Sequence, residues 1–216
     1  LARTDEDGHA LGKAGRGGKE PGSKKVLLIP SYGGRLLFNR STSGGKWIPG
    51  KSVANLKRPV IGVSMLAAME YALWLSDRSP GKKYSYRLPT DLEWEKAARG
   101  VDRRTHVWGK YPVSPYCRSG ASNCKNTNTL GNTGAFPMDE SVYGIRDLAG
   151  SVSEPTTDLT VAGENFISYR GGHWMTIDEY LFHAATRTGH LADTHELHCG
   201  FRLVAVPTVS AKPGEN

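Results

Sequence analysis

The spacing of apolar and polar residues predicts an amphipathic helix near residue 70. Apolar side chains recur there at intervals of three and four residues, at Met65, Ala68, Met69, Ala72 and Leu75. This spacing places them on one face of a helix. Ser64 is a suitable N-cap, and Ser-Pro-Gly at residues 79–81 ends the pattern. We therefore expect a helix from Ser64 to about Ser76.

A second helix is predicted by its start signal. Thr90 precedes Glu93 by three residues, so the threonine hydroxyl can accept from the Glu93 amide while the glutamate carboxylate reaches back to the Thr90 amide. Trp94, Ala97 and Ala98 supply the buried side of this helix, and Gly100 ends it.

The remaining apolar segments are short and favour strands. Residues 26–29 form an apolar run ended by Pro30, and residues 169–172 and 200–206 have the composition of core strands. Gly, Pro and Asn are frequent between residues 101 and 134, which predicts an irregular loop region. Two helices, short antiparallel strands and extensive loops together predict an α+β fold.

Composition indicates one domain with tails. The chain has 216 residues, 38% of them hydrophobic, with 26 Gly and 12 Pro, which suits a loop-rich globular protein with its own core. Residues 1–25 are rich in Gly and Lys and are expected to be poorly ordered. The domain is expected to occupy residues 26–207, followed by a tail at residues 208–216. Because the chain begins with Leu1, we expect a processing product or a fragment.

The charge of the chain does not indicate a nucleic-acid partner. The net charge is +7, but much of the basic charge lies in the Gly-rich opening, where it would attract any polyanion without specificity. No helix-turn-helix, zinc-finger or stacking-platform pattern accompanies it. No apolar run approaches the roughly 20 residues that a membrane helix needs, and no secretory hydrophobic region opens the chain.

Three cysteines do not form a disulfide framework. Cys117 and Cys124 flank a six-residue loop, so they either close a local disulfide or remain free thiols. Cys199 precedes a predicted strand and is interpreted as a buried small hydrophobe rather than a nucleophile.

Histidines are concentrated in one segment. Residues 173–198 contain five of the seven histidines. His195 and His198 could bring two imidazoles near one metal ion, with carboxylates offered by Asp178 and Glu179. This arrangement matches no metalloenzyme spacing, and exposed histidines without a function are the alternative.

Four sequence blocks resemble the formylglycine-generating enzyme (sulfatase-modifying factor) family. They are Arg-Leu-Pro-Thr-Asp-Leu-Glu-Trp-Glu at residues 87–95, Tyr-Gly-Ile-Arg-Asp-Leu-Ala-Gly-Ser-Val-Ser-Glu at 143–154, Tyr-Arg-Gly-Gly-His-Trp at 169–174 and Gly-Phe-Arg-Leu at 200–203. The resemblance covers roughly residues 58–206 and implies a variant of the C-type lectin fold. It also implies a reactive cysteine pair just after Trp174, yet residues 175–187 contain no cysteine. We therefore expect a non-catalytic protein, with a divergent formylglycine-generating-type oxidase as the alternative.

The same resemblance implies a recognition surface between the last two core strands. Large amphipathic rings and short polar groups, the mixture typical of binding surfaces, are interleaved there with framework residues. The candidate ligand-binding residues are His173, Met175, Thr176, Asp178, Tyr180, Phe182, His183, Thr188, His190, Thr194, His195, Glu196 and His198. Six of these, Tyr180, Phe182, His183, His190, His195 and Glu196, are expected to share one solvent-facing surface. The expected ligand is a protein or peptide rather than a small molecule.

This placement also resembles two kinds of bacterial protein. A diverse segment that ends at a Gly-Phe-Arg strand is similar to the variable proteins of diversity-generating retroelements. The blocks between residues 59 and 109 are equally similar to domains fused to bacterial serine/threonine kinases, which makes a sensor domain the further alternative.

Calcium is the one cofactor that the resemblance implies, through the block at residues 147–154 and the Asn-rich loop before it. The candidate ligands, which offer the oxygen atoms that calcium requires, are Asn123, Asn126, Asn128, Asp139 and Glu154. Ser151 stands where the family has Asn, and Pro155 replaces an aromatic residue, so one amide oxygen is lost. Ordinary turn formation by the asparagines is the alternative interpretation.

Overall fold

The computed structural model describes residues 57–111, 116–122, 130–160, 166–193 and 195–208, together with the backbone of six short strands within residues 1–56. The predicted disorder of residues 1–25 and the tail at 208–216 fall almost wholly outside the described residues, and both remain predictions.

The first helix, α1, spans Met65–Arg78, two residues longer than the sequence pattern predicted. The Ser64 hydroxyl caps it by accepting from the Ala67 amide at 3.3 Å. Met65, Ala68 and Ala72 form its buried side, as predicted, and Leu75 is half-buried. The expectation that Met69 belongs to the buried side is wrong, since its side chain is 41% exposed.

The second helix, α2, spans Asp91–Arg99 and begins with the predicted capping box. The Thr90 hydroxyl accepts from the Glu93 amide at 3.2 Å, and the Glu93 carboxylate accepts from the Thr90 amide at 2.8 Å. Gly100 ends the helix with a φ of 66°, a value that favours glycine.

The strands are short and pair antiparallel. Near the N-terminus β1 (Ala2–Thr4) pairs with β2 (Leu27–Ile29), β3 (Ser31–Tyr32) with β4 (Arg35–Leu36), and β5 (Phe38–Arg40) with β6 (Trp47–Pro49). In the remainder, β7 (Tyr84–Arg87) pairs with β11 (Val204–Pro207). A three-stranded sheet has the order β10 (Thr188–Leu191), β9 (Phe166–Arg170), β8 (Glu154–Leu159). The predicted α+β class is therefore confirmed. Within the part of the chain described here, no helix is long and apolar enough to span a membrane.

Among the described residues, the buried side chains form two core clusters. One gathers around α2 and contains Trp94, Ala98, Val107, Cys117, Leu148, Ala149, Phe182 and Ala184. The other joins α1 to the sheet and contains Val63, Met65, Ala68, Leu88, Ile167, Tyr169 and Cys199. Cys199 is thus the buried hydrophobe that the sequence indicated, and Cys117 is a free, buried thiol rather than half of a disulfide.

Two buried ion pairs cross-link the elements around the first cluster. The Arg170 side chain, wholly buried on β9, donates from Nε to Asp91 Oδ1 at 2.8 Å. Arg202 donates from Nη2 to Glu154 Oε1 at 2.9 Å, and the Trp94 indole nitrogen donates to Glu154 Oε2 at 2.8 Å. Charges as deeply buried as these require such partners.

Candidate functional site

The candidate segment begins with a sharp turn after β9. Gly171 and Gly172 have φ values of 89° and 66°. A Cβ on Gly172 would lie 2.9 Å from Cε1 of Phe182 and 3.0 Å from the Leu181 carbonyl oxygen, so the backbone can approach this closely only without a side chain. The turn carries His173 away from the sheet, and the Thr176 hydroxyl accepts from the His173 amide at 3.2 Å.

A short 3₁₀ helix at Glu179–Phe182 then directs some side chains of the segment outward and others into the core. Asp178 caps it by accepting from the Tyr180 amide at 3.0 Å. Tyr180 is directed outward and is 60% exposed, whereas Phe182 is directed inward and is 7% exposed. The expectation that Phe182 faces solvent is therefore wrong, because two residues along a 3₁₀ turn point in different directions and Phe182 fills the core beside Trp94.

Tyr180 begins a row of ring contacts, which we call the aromatic row: Tyr180, His183, His106, Trp108 and Tyr116. The ring centroids are 5.2 Å apart for Tyr180 and His183, and 4.8 Å for His183 and His106. The row continues at 5.2 Å to Trp108 and 5.8 Å to Tyr116. Burial, reinforced by charge on His183, lowers the pKa of His106. His106 and Trp108 were not predicted as site residues, because no local pattern links them to a segment far along the chain.

The second group of side chains is a histidine cluster formed by His173, His190 and His198. The His173 and His198 ring centroids lie 4.2 Å apart, and those of His190 and His198 lie 5.7 Å apart. β10 positions His190 opposite Ile167 of β9. Glu196 Oε2 lies 3.2 Å from Nδ1 of His198.

Burial favours the uncharged form of the imidazoles in this cluster. Together with positive charge on His198 and His190, it lowers the pKa of His173 to about 4. Burial also lowers the pKa of His190 and of His198, against the opposing effect of the Glu196 carboxylate. Neutral imidazoles of this kind accept and donate hydrogen bonds without carrying charge.

The other candidate residues lie around these two groups. Met175, Asp178, His195 and Glu196 are exposed, Thr188 is half-buried on β10, and Thr176 is buried. Thr194 lies outside the described residues. No ring contact among the described side chains joins the aromatic row to the histidine cluster, so the segment presents two separate groups of rings.

The described calcium candidates do not fit the ion. Glu154 already accepts from Trp94 and forms an ion pair with Arg202. Asp139 is fully buried and accepts from the Ala149 amide, and burial raises its pKa well above the usual value, which favours the protonated acid. Asn123, Asn126 and Asn128 lie outside the described residues. Within the described ranges, no group of three or more His, Cys, Asp or Glu side chains is arranged to hold a metal ion.

The two cysteine thiols among the described residues, those of Cys117 and Cys199, are unsuited to nucleophilic chemistry. Burial raises the pKa of Cys199 to about 12, and it also raises the pKa of Cys117. A thiol of this kind carries almost no thiolate at neutral pH.

Comparison with known proteins places the chain in a family. A model of the sulfatase-modifying factor enzyme 1-like domain matches residues 17–206. The chain therefore belongs to this family, and its fold is the α+β, C-type-lectin-like fold of formylglycine-generating enzymes, as predicted.

Both active and inactive relatives are similar to the chain. The formylglycine-generating enzyme of Thermomonospora curvata is 30% identical over 190 residues, which cover 74% of this chain and 59% of that protein. The inactive C-alpha-formylglycine-generating enzyme 2 of Bos taurus is 32% identical over 187 residues, covering 77% of this chain and 56% of that protein. The chain thus spans less than two thirds of the length of these relatives.

Among solved structures, Treponema denticola variable protein 1 superimposes with a TM-score of 0.61 over 79% of this chain and 78% of that one. The two sequences are 21% identical, so the likeness concerns the fold.

Proposed function

We propose that this chain is a non-catalytic ligand-binding protein whose recognition surface is built by residues 173–198 on the formylglycine-generating-enzyme scaffold. The observation that carries the proposal is that this segment holds no cysteine before Cys199 and instead exposes side chains such as Tyr180 and Glu196. Overall similarity does not distinguish the two cases, since a formylglycine-generating enzyme and an inactive C-alpha-formylglycine-generating enzyme 2 are about equally similar to the chain.

The setting we propose is that of a diversity-generating retroelement variable protein. The fold likeness to a variable protein supports it. Further support comes from the arrangement of the segment, in which exposed side chains alternate with anchored ones. The alternative is a sensor domain attached to a kinase. It would use the same recognition surface and would differ from a variable protein in having a kinase as its neighbouring domain.

The chemistry of the aromatic row favours a protein or peptide ligand. Tyr180, the exposed end of this row, gives contact area at a low cost in conformational entropy, and the exposed Glu196 adds a hydrogen-bonding group at the surface. Interfaces commonly depend on a few aromatic anchors of this kind.

Selection from a displayed peptide library on the immobilised chain tests the proposal. Enriched peptides, made synthetically, should bind the unaltered chain and lose about 30-fold or more in affinity to Tyr180→Ala, because anchor residues contribute about 2 kcal/mol or more. Tyr84→Ala is the matched control, since Tyr84 is also an exposed tyrosine but lies on β7. Equal losses in both variants, or no enrichment at all, would overturn the proposal.

A further inference from the structure

We infer that the outer surface of α2 carries an anion-binding site, in an open cleft between the last turns of the helix and the turn that follows it. The ligand that fits this cleft is a small organic anion, with its charged group between Lys96 and Arg103 and its apolar part on Leu92. No lining residue of the cleft lies within residues 173–198, so the inference does not depend on the proposed function.

The cleft has an excess of positive charge. Its volume is about 220 Å³, and its lining residues are Leu92, Glu95, Lys96, Arg99, Gly100 and Arg103. These side chains carry three positive charges and one negative charge. A cleft lined mainly by charge of one sign raises the local concentration of ligands of the opposite sign. The charge of the lining therefore favours an anion.

The one carboxylate in the lining already has partners on both oxygen atoms. Oε1 of Glu95 accepts from Nη1 of Arg99 at 2.6 Å, and Oε2 accepts from Nη2 of Arg170 at 3.1 Å. Burial by itself would raise the pKa of Glu95, but the hydrogen bonds from these two guanidinium groups outweigh burial and lower it. The negative charge of Glu95 is thus balanced by arginines within the protein.

Lys96 and Arg103 are the two basic residues of the cleft that keep their charge available. Both side chains are exposed, and neither forms an ion pair or a side-chain hydrogen bond with another described residue. The neighbouring Arg104, in contrast, is paired with Asp102 at 2.6 Å. A carboxylate or phosphate group between Lys96 and Arg103 would accept charge-assisted hydrogen bonds from both.

The turn that carries Arg103 is held against α2 by Arg99. Nη2 of Arg99 donates to the Arg103 carbonyl at 3.2 Å, and Nε donates to the Arg104 carbonyl at 3.2 Å. Arg103 has a φ of 58°, which is uncommon for a residue with a side chain. The backbone positions of the two basic residues are therefore fixed before a ligand binds, which lowers the entropic cost of binding.

Leu92 gives the cleft an apolar side. It precedes Lys96 by four residues on α2, so the two side chains are neighbours on one face of the helix. The Leu92 side chain is 74% exposed, and an apolar group of the ligand would remove part of this surface from water. An organic anion therefore fits the cleft better than a bare inorganic ion.

A titration of the isotope-labelled full chain with phenyl phosphate, followed by nuclear magnetic resonance, tests this site. We expect saturable shifts of the amide signals of Lys96, Gly100 and Arg103. Inorganic phosphate, which lacks the apolar part, should bind several-fold more weakly. Shifts that do not saturate or that occur mainly outside the cleft would overturn the inference, as would equal affinities for the two probes.

A pair of double variants separates this site from general attraction by a basic surface. Lys96→Gln combined with Arg103→Gln should weaken the binding of phenyl phosphate about tenfold, because both charge-assisted hydrogen bonds are lost. The matched control is Arg58→Gln combined with Lys83→Gln, which removes the same charge from two exposed positions outside the cleft. The control should change the affinity by no more than about twofold, since salt screens distant charges. Equal losses of affinity in the two double variants would overturn the inference.

Discussion

Replacing Asp91 by alanine should destabilise the protein more than any surface change. The Asp91 Oδ1 atom accepts from Nε of Arg170 at 2.8 Å, from the Ser168 hydroxyl at 2.7 Å and from the Thr156 hydroxyl at 3.0 Å. Burial by itself would raise the pKa of Asp91, but the hydrogen bonds from Arg170, Ser168 and Thr156 outweigh burial and lower it. The carboxylate is therefore ionised in the folded protein.

The expected magnitude follows from what the substitution leaves behind. Arg170 has a fully buried side chain and would lose its main counter-charge, keeping a 3.1 Å contact with Glu95 Oε2 and three backbone carbonyls, those of Ala184, Thr186 and residue 91 itself. Removing one partner of a buried pair costs about 3–5 kcal/mol, and the remaining Glu95 contact places Asp91→Ala near the lower end of that range.

Urea denaturation followed by tryptophan fluorescence measures this effect. Glu140→Ala is the control, because the Glu140 carboxylate pairs with Arg146 at the surface and such pairs contribute about 0–1 kcal/mol. If Asp91→Ala lost no more free energy of unfolding than Glu140→Ala, the reasoning about the buried pair would be refuted.

Three further predictions concern the segment itself. A cysteine-containing sulfatase peptide should give no aldehyde product by mass spectrometry, and a product that Cys199→Ser abolishes would contradict the non-catalytic proposal. The free energy of unfolding should fall as the pH drops from about 6.5 to about 4, because the lowered pKa of His173 leaves the unfolded state with more bound protons in this pH range. His173→Asn should reduce the dependence of this free energy on pH. An equal dependence in the unaltered chain and in His173→Asn would contradict the lowered pKa of His173. Tyr180→Ala should change the free energy of unfolding by no more than about 0.5 kcal/mol, whereas Phe182→Ala should lower it by about 3–5 kcal/mol. Denaturation curves in which Tyr180→Ala loses more stability than Phe182→Ala would contradict the burial assigned to these two side chains.

Local signals in the sequence predicted the helices well. The capping box at Thr90 and Glu93 depends only on residues three apart, and the structure forms it as predicted. The strands predicted at residues 169–172 and 200–206 are confirmed only in part. β9 ends at Arg170 and is followed by a turn at Gly171 and Gly172, β11 begins at Val204, and β10 between them was not predicted.

The composition of the site was less accessible from the sequence, because it depends on contacts between distant residues. Tyr180 and Phe182 have similar side chains, and only the packing of the 3₁₀ turn against Trp94 decides which of them is buried. His106 enters the aromatic row through contact with His183, and no local pattern predicts such a contact.

The anchoring of the segment explains how its exposed side chains can vary without loss of the fold. Arg170 on β9 donates to the carbonyls of Ala184 and Thr186. The Ser153 amide donates to the His198 carbonyl at 2.7 Å. These contacts use the backbone of the segment, so they do not depend on which side chains it displays. The scaffold therefore holds the backbone of the segment at Ala184, Thr186 and His198, and substitution at outward positions such as Tyr180 should leave the fold intact.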